Sequence, residues 1–374
     1  MKLLTTNQVC AIIILVTIGN KLLSLPGLMY GTLNTDALWI VLLNFIGAFF
    51  IFYMFAYICK KYPNVTFKQF ITKHLGNVGY VMILVLFTLY YLIKLVLTLN
   101  EGEVFLSETI YVGFSSALYI IPMSLVAGFF VYKGVKVIAR TNEMMVKLIV
   151  IGLIITIGLS LPNVKLDTLL PLFVHSADEM LYAYNHTSIW FGSYFMLFIF
   201  MGKIELSKNF VSKVLKSYLL TAFLIFLFFV TFYSVFGPSS IVHQFAVNDV
   251  VTLTPQLSSL IKIDWFTVFF YSIALILNSI IQLYFIFYSV GEIFKVKNSK
   301  SAVTIYISLF TLAYLLLPYN TKQIVQFVCD TIGIYASLLN LIVPIIIFIV
   351  LLTTNKEYSK QKELKFYGRS LEKK

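Results

Sequence analysis

Residues 18–26 read IGNKLLSLP and interrupt an apolar run that extends from about residue 8 to about residue 30. Glycine and asparagine disfavour a helix interior, and Pro26 cannot donate the helical hydrogen bond to residue 22. An interruption near Gly19 would leave amide and carbonyl groups free in the middle of the run, where such groups can bind a carboxylate or a cation. We predict a broken helix here; a helix kinked at the proline, with a notch for packing, is the alternative.

The rest of the chain is strongly apolar. Of its 374 residues 60% are hydrophobic and 12% are charged, whereas a soluble domain has about 25% charged residues. So few charges exclude a soluble enzyme, a disordered chain and a fibrous repeat. Runs of about 20 apolar residues can cross a bilayer as helices. We predict an all-α polytopic membrane protein with ten spans, at about residues 8–30, 36–59, 78–100, 115–132, 144–161, 186–202, 217–237, 263–291, 301–318 and 331–353.

The distribution of basic residues predicts the orientation of these spans. Of the 28 Lys and Arg residues, 23 lie at the two termini or after every second span, and three lie in the opposite loops. Cytoplasmic loops of membrane proteins carry such an excess. Both termini are therefore predicted to be cytoplasmic. The net charge of +12 reflects this orientation, and no nucleic-acid partner is expected.

A second interruption is predicted in the sixth span, where residues 190–194 read WFGSY. Because the first half has five spans, the sixth runs opposite to the first. Interruptions in corresponding spans of two halves are typical of an inverted repeat. We predict one five-helix repeat over residues 1–161, a second over 162–353, and a basic cytoplasmic tail over 354–374.

Three polar side chains within spans are candidate ligand contacts. Lys21 follows the first interruption, Lys94 lies deep in the third span, and Asn278 lies in the eighth. Ionisable groups in a membrane are expensive and often functional. Each lysine either faces an internal cavity and attracts an anionic group, or extends its ammonium to an interface. Asn278 either joins two helices or contacts a ligand.

Catalytic signatures are missing from the sequence. No Asp or Glu is expected in the middle of a span, because Glu101 is assigned to the outer end of the third, so a proton relay lacks its usual residue. The three cysteines and four histidines are scattered, and there is no nucleotide-binding loop or hydrolase motif. We expect no enzymatic activity, no catalytic residue, no metal and no cofactor.

Several short motifs resemble one family. Residues 19–26, GNKLLSLP, are similar to the first-span signature of the spore germination permeases, which is close to G-x-G-L-L-x-L-P. Further matches lie at residues 134–143, at Phe191-Gly192 and at residues 317–320. These permeases are the B subunits of Ger-type nutrient germinant receptors, in the amino acid/polyamine/organocation superfamily. Length, number of spans and orientation agree over nearly the whole chain.

The resemblance implies a leucine-transporter-type 5+5 fold with broken helices 1 and 6. It implies a small nutrient ligand such as an amino acid, and assembly with an A-type membrane subunit and a C-type lipoprotein in the spore inner membrane. It also places the ligand among spans 1, 3, 6 and 8. Together with the polar residues above, the candidate substrate-binding residues are Gly19, Asn20, Lys21, Lys94, Phe191, Gly192, Ser193 and Asn278.

The sequence departs from the family pattern at both interruptions. Lys21 stands where the pattern has a second small residue, and Ser193 and Tyr194 follow Gly192 where a Glu is common. A bulky cation at this position would alter the pocket for a neutral amino acid. We predict that Lys21 either pairs with an anionic group of the ligand or substitutes for a bound coupling cation.

Three functions are compatible with the sequence. The first is a germinant-receptor subunit, which binds a nutrient and passes a conformational change to its partners. The second is a secondary transporter of amino acids or polyamines. The third is a membrane scaffold, which would explain the hydrophobicity but neither the broken span nor the buried lysines.

Overall fold

The computed structural model describes residues 4–110, 115–253, 264–295, 300–316 and 321–371. The motif at residues 317–320 lies outside the described residues. The described chain contains two two-residue strands, β1 and β2, thirteen α-helices, five short 3₁₀ helices and one π-helical turn. In order, the strands and α-helices are β1 Leu4–Thr5, α1 Thr6–Ile18, α2 Ser24–Leu33, α3 Ala37–Lys61, α4 Phe67–Thr109, α5 Ser116–Lys133, α6 Val135–Ser160, α7 Ala177–Phe191, β2 Ile204–Glu205, α8 Phe210–Phe236, α9 Ala246–Thr252, α10 Asp264–Phe294, α11 Lys300–Leu315, α12 Thr321–Phe327 and α13 Gly333–Leu371.

The helical membrane class is confirmed. Seven stretches are long and apolar enough to cross a bilayer, namely Ser24–Lys61, Phe67–Thr109, Ser116–Lys133, Val135–Asn163, Phe210–Val242, Trp265–Phe294 and Lys322–Thr353. The first of these joins α2 and α3. The predicted first, sixth and ninth spans coincide with shorter helices, so the total of ten spans stays a prediction.

Both predicted interruptions are present. Helix α1 ends at Ile18 and α2 begins at Ser24, and residues 19–23 form the turn between them, which we call the first break. Pro26 is the third residue of α2, where a missing backbone donor is tolerated, so the continuous helix with a proline kink is wrong. Helix α7 ends at Phe191, and a 3₁₀ helix, Ser193–Phe200, continues after Gly192. Gly192 is the second break.

Both breaks lie at the centre of the packed helices. Helix α1 contacts α6, α8 and α10, and α4 packs along α10. All eight residues of the 3₁₀ helix Ser193–Phe200 are buried. At the end of α1 that is predicted to face the cytoplasm, β1 pairs in parallel with β2, with Leu4 opposite Ile204. This pairing joins the starting end of α1 to the segment that follows the second break.

Large apolar side chains cover the outside of the helices. Leu43, Phe50 and Leu125 are 57%, 63% and 70% exposed. A soluble monomer rarely exposes so much contiguous apolar surface. Lipid is the environment that this surface requires, and the chain is a multi-pass integral membrane protein.

Candidate binding site at the two helix breaks

The first break ends α1 with its carbonyl groups pointing into the protein. Gly19 has φ +47°, a left-handed conformation that other residues adopt only with strain. The turn brings Lys21 back over the helix end, where its Nζ lies 2.8 Å from the Thr17 carbonyl and 3.5 Å from the Val16 carbonyl. The last carbonyls of a helix lack intrahelical partners and carry partial negative charge. The ammonium of Lys21 therefore caps α1.

Helix α10 and α9 hold the rest of this turn. The Tyr271 hydroxyl donates to the Gly19 carbonyl at 3.0 Å and accepts from the Leu22 amide at 3.2 Å. The Val247 amide donates to the Leu22 carbonyl at 3.0 Å, and that of Ala246 to Leu23 at 3.4 Å. These bonds satisfy backbone groups that burial would otherwise make costly.

The second break is capped by side chains from other helices. Lys94 Nζ, on α4, lies 2.5 Å from the Ile189 carbonyl and 3.2 Å from that of Trp190. The Tyr91 hydroxyl donates to the Gly192 carbonyl and accepts from the Met196 amide, both at 3.2 Å. Helix α4 therefore supplies the caps for both sides of this break.

Gly192 is required by close packing. A Cβ at this position would lie 2.0 Å from the Tyr90 hydroxyl and 2.3 Å from Asn340 Oδ1. The Tyr90 hydroxyl itself donates to the Ile189 carbonyl at 3.2 Å, so it is held in place. The second break thus depends on the absence of a side chain, whereas the first depends on a left-handed backbone conformation.

The sequence predicted that no carboxylate is buried at this site. Glu101 shows that this prediction is wrong. Helix α4 continues through Glu101, which is 3% exposed. Its carboxylate accepts hydrogen bonds from Asn20 Nδ2 and Ser24 Oγ at the first break, and from Trp190 Nε1 at 3.4 Å beside the second. Glu101 therefore connects both breaks. We call Lys21, Lys94 and Glu101 the charge cluster.

The eight predicted site residues are all buried around the two breaks. Phe191 lies with its ring centroid 5.7 Å from Lys21 Nζ, and the Asn278 amide approaches Gly19. Ser193 lines a small cavity beside Lys21 and Phe191. Among the described residues, the Ser193 hydroxyl and both polar atoms of Asn278 have no hydrogen-bond partner. The sequence grouped these residues correctly in space; their role in binding stays a prediction.

A large cavity leads towards this site from the side predicted to be extracytoplasmic. It has a volume of about 1030 Å³ and lies among α2, α4, α7, α12 and the loop at residues 241–244. We call it the outer cavity. Ser24, which donates to Glu101, is part of its lining. The cavity is therefore separated from Glu101 by the Ser24 side chain, and the charge cluster itself does not line it.

Two histidine–aspartate pairs stand around the outer cavity. His186 Nε2 lies 2.9 Å from Asp330, in a π-helical turn at Val328–Ile332. His243 Nδ1 lies 3.2 Å from Asp249 of α9. Burial raises the pKa of Asp249, and the nearby imidazole opposes that shift. The first pair connects α7 to a turn that is distant in sequence, whereas the second joins two residues six positions apart.

Sequence reasoning missed the groups that come from other helices. Tyr90, Tyr91, Tyr271 and Asn340 read as ordinary residues of apolar spans. For Glu101 a signal was present, because it lies seven residues after Lys94. In a helix of 3.6 residues per turn, seven residues make two turns and return to the same face. Two opposite charges at that spacing indicate a shared polar face.

These features define a class: a multi-pass helical membrane protein whose two broken helices meet at a buried cluster of charges. The chain matches the spore permease family, described as spore germination protein, over residues 3–325. It belongs to this family, as the motifs at residues 19–26 and at Phe191-Gly192 predicted. Among curated proteins none matches the chain.

Proposed function

We propose that this chain is the membrane subunit of a spore nutrient-germinant receptor. In this proposal a small nutrient enters the outer cavity, binds near the two breaks and shifts the helices between two arrangements. A ligand can drive such a shift only through different affinities for the two states. The family resemblance favours an amino acid as the nutrient, and the spore inner membrane as the location.

The observation that most directly supports this proposal is the position of Lys21. The carbonyl end of a half-helix is where a transporter of this type binds its coupling cation. Here the ammonium of Lys21 lies 2.8 Å from the Thr17 carbonyl and is covalently attached to the chain. A tethered cation can stabilise the broken helix but cannot cross the membrane with a solute. This supports a receptor in which binding, and not flux, is the output, and it favours the second of the two roles predicted for Lys21.

A secondary amino acid transporter is the second candidate, and Glu101 favours it. A buried carboxylate between two breaks is a group that can carry a proton in a proton-coupled transporter. The argument against proton coupling from missing carboxylates no longer holds, because Glu101 is buried in α4.

The proposal also covers the arrangement of the membrane spans and the partner subunits. Two breaks, each with a helix end capped by a lysine, support a leucine-transporter-type inverted repeat of ten spans. The A-type membrane subunit and the C-type lipoprotein are the expected partners, since a receptor subunit must pass its conformational change to other chains.

Deletion of the gene in a spore-forming host tests this function. We expect the spores to lose germination in response to one nutrient, while uptake of that nutrient by growing cells stays normal. Normal germination combined with lost uptake would establish the transporter instead.

A further inference from the structure

The loop between α6 and α7 exposes apolar side chains on the side predicted to be extracytoplasmic. Residues 166–174 of this loop read LDTLLPLFV. Five of their apolar side chains are between 37% and 70% exposed, namely Leu166, Leu170, Leu172, Phe173 and Val174. We call these five residues the outer patch. An exposed apolar patch marks a surface that contacts a membrane or another protein.

Hydrogen bonds to the turn between α2 and α3 hold the outer patch in one position. The buried Asp36 carboxylate accepts from the backbone amides of residues 173–175 at 2.5, 2.7 and 3.0 Å, and the His175 ring lies 3.0 Å from it. Phe173 has φ +62°, a left-handed conformation that a bulky residue adopts only with strain. Such strain persists only where the surrounding contacts determine it. The exposure of the patch is therefore a feature of the folded loop.

The Phe173 ring joins the outer patch to the surface of α3. It stacks on Trp39, with the ring centroids 4.7 Å apart. Trp39 begins a row on one face of α3 that continues with three exposed side chains, Leu43, Ile46 and Phe50. Residues three and four positions apart are neighbours on a helix surface. Lipid covers this row, so the outer patch continues the lipid-facing surface past the start of α3.

The length of α3 places the outer patch at the boundary of the bilayer. Lys60 and Lys61 end α3 on the side predicted to be cytoplasmic. The hydrocarbon core takes about 20 helical residues, and counting back from Lys60 leads to Ile40. Trp39 therefore lies at the level of the outer headgroups, where tryptophan is enriched. Phe173 contacts Trp39 and lies at the same level.

We propose that the outer patch is a membrane-contact site whose apolar side chains are inserted into the outer leaflet. The partner is lipid, because the patch continues the lipid-facing row of α3 and its stretch carries one charged residue, Asp167. Apolar faces of interfacial segments enter the leaflet by about 5–10 Å.

Contact with the leaflet also positions α7. This helix begins at Ala177, three residues after Val174, and it ends at the second break. The leaflet therefore supports the starting end of the interrupted helix, while Lys94 caps its other end. The proposal does not depend on the nutrient, or on the choice between a receptor and a transporter.

Fluorescence quenching of the purified chain in nanodiscs tests the contact. The native cysteines, Cys10, Cys59 and Cys329, are buried, so a polarity-sensitive thiol-reactive dye attaches to an introduced cysteine. Leu170→Cys and Val174→Cys place the dye in the outer patch. We expect a blue-shifted emission, loss of most of the fluorescence with lipids that carry a nitroxide near the glycerol, and little loss with iodide in the water.

Two further variants provide the matched controls. Leu43→Cys places the dye on the lipid-facing row of α3 and should behave like the patch variants. Val242 is 74% exposed and lines the outer cavity, so iodide should quench Val242→Cys more than the nitroxide lipid does. Iodide quenching of the patch variants to the extent seen for Val242→Cys would overturn the lipid contact and leave the patch as a surface for another protein chain. Nitroxide quenching of the patch variants no stronger than that of Val242→Cys would contradict the contact as well.

Discussion

The two breaks differ in how the free carbonyl groups of the interrupted helices are satisfied. Each leaves helix carbonyls in an apolar interior, and each uses a lysine ammonium to satisfy them. At the first break the lysine is Lys21, four residues after the Thr17 carbonyl that it contacts. At the second it is Lys94, which reaches the Ile189 carbonyl from another helix. The first cap is local in sequence, and the second is made by tertiary packing.

This difference decides how each break responds to change. The first break has several independent supports, including Lys21, Tyr271 and the amides of α9. The second break is enclosed by α4 and α13, with Tyr90 and Asn340 directly against Gly192. We therefore expect the second break to tolerate substitution less well than the first.

Alanine substitution at the two glycines should give the largest contrast. In Gly192→Ala the new Cβ would lie 2.0 Å from the Tyr90 hydroxyl, so α4 and α7 must separate. We expect little folded protein after detergent extraction, measured by size-exclusion chromatography. In Gly19→Ala the new Cβ would meet only ordinary contacts of 3.4 Å or more, and the backbone at φ +47° and ψ −133° opposes the change. Such backbone strain costs about 1–3 kcal/mol, so this variant should still fold.

Gly158→Ala is the control for both variants, because no described atom lies within 4 Å of a Cβ there. It should extract like the unmodified protein. Equal yields of Gly192→Ala and Gly158→Ala would show that the second break is not tightly packed.

Removal of the second lysine should have the next largest effect. Lys94→Met leaves the Trp190 carbonyl without its cap and removes the cation that interacts with Glu101. Lys94 donates two hydrogen bonds, and a hydrogen bond to a charged group contributes about 1.5–3 kcal/mol. We expect a clear fall in melting temperature in nanodiscs, larger than the fall for Lys21→Met. Lys133→Met, at the exposed end of α5, should change little; a fall as large as that of Lys94→Met would point to a non-specific effect.

Neutralisation of the Glu101 carboxylate should lower the stability less than removal of Lys94. In Glu101→Gln the shape is kept, but an amide nitrogen now faces one of the donors from Asn20, Ser24 and Trp190. An unsatisfied buried group costs about 1–3 kcal/mol. We expect a moderate fall in melting temperature together with a weaker nutrient response in spores. The half-buried neighbour Glu103 provides the comparison, and a larger effect of Glu103→Gln would contradict the bridging role of Glu101.

Loss of the hydroxyl of Tyr271 should have the smallest effect. Tyr271→Phe removes two hydrogen bonds to the first break while its ring stays packed near Phe105. A hydrogen bond contributes about 1 kcal/mol net, and the remaining supports keep the turn closed. We expect a small fall in melting temperature, with exposed Tyr132→Phe as the unchanged reference. A loss of folded protein would mean that the first break depends on this one residue.

The sequence alone predicts those features of the fold and the site that depend on neighbouring residues. The first break follows from Gly19 and Pro26 in one apolar run, because backbone preferences act over a few residues. The caps of the second break come from α4 and α13, and no local pattern links Tyr90 or Asn340 to Gly192. The sequence assigns Glu101 to the outer end of the third span because hydropathy ends a span at the first charged group, although the helix continues to Thr109.

The central claim is that Lys21 takes the place of a bound cation. It is tested most directly by the melting temperature of the purified chain in nanodiscs, measured in sodium chloride and in choline chloride at equal concentration. A cation that binds the folded state would raise the melting temperature as its concentration rises. We predict equal values in the two salts for the unmodified protein, and a sodium-dependent rise for Lys21→Ala, where the Thr17 carbonyl becomes free. A sodium-dependent rise in the unmodified protein would contradict the account.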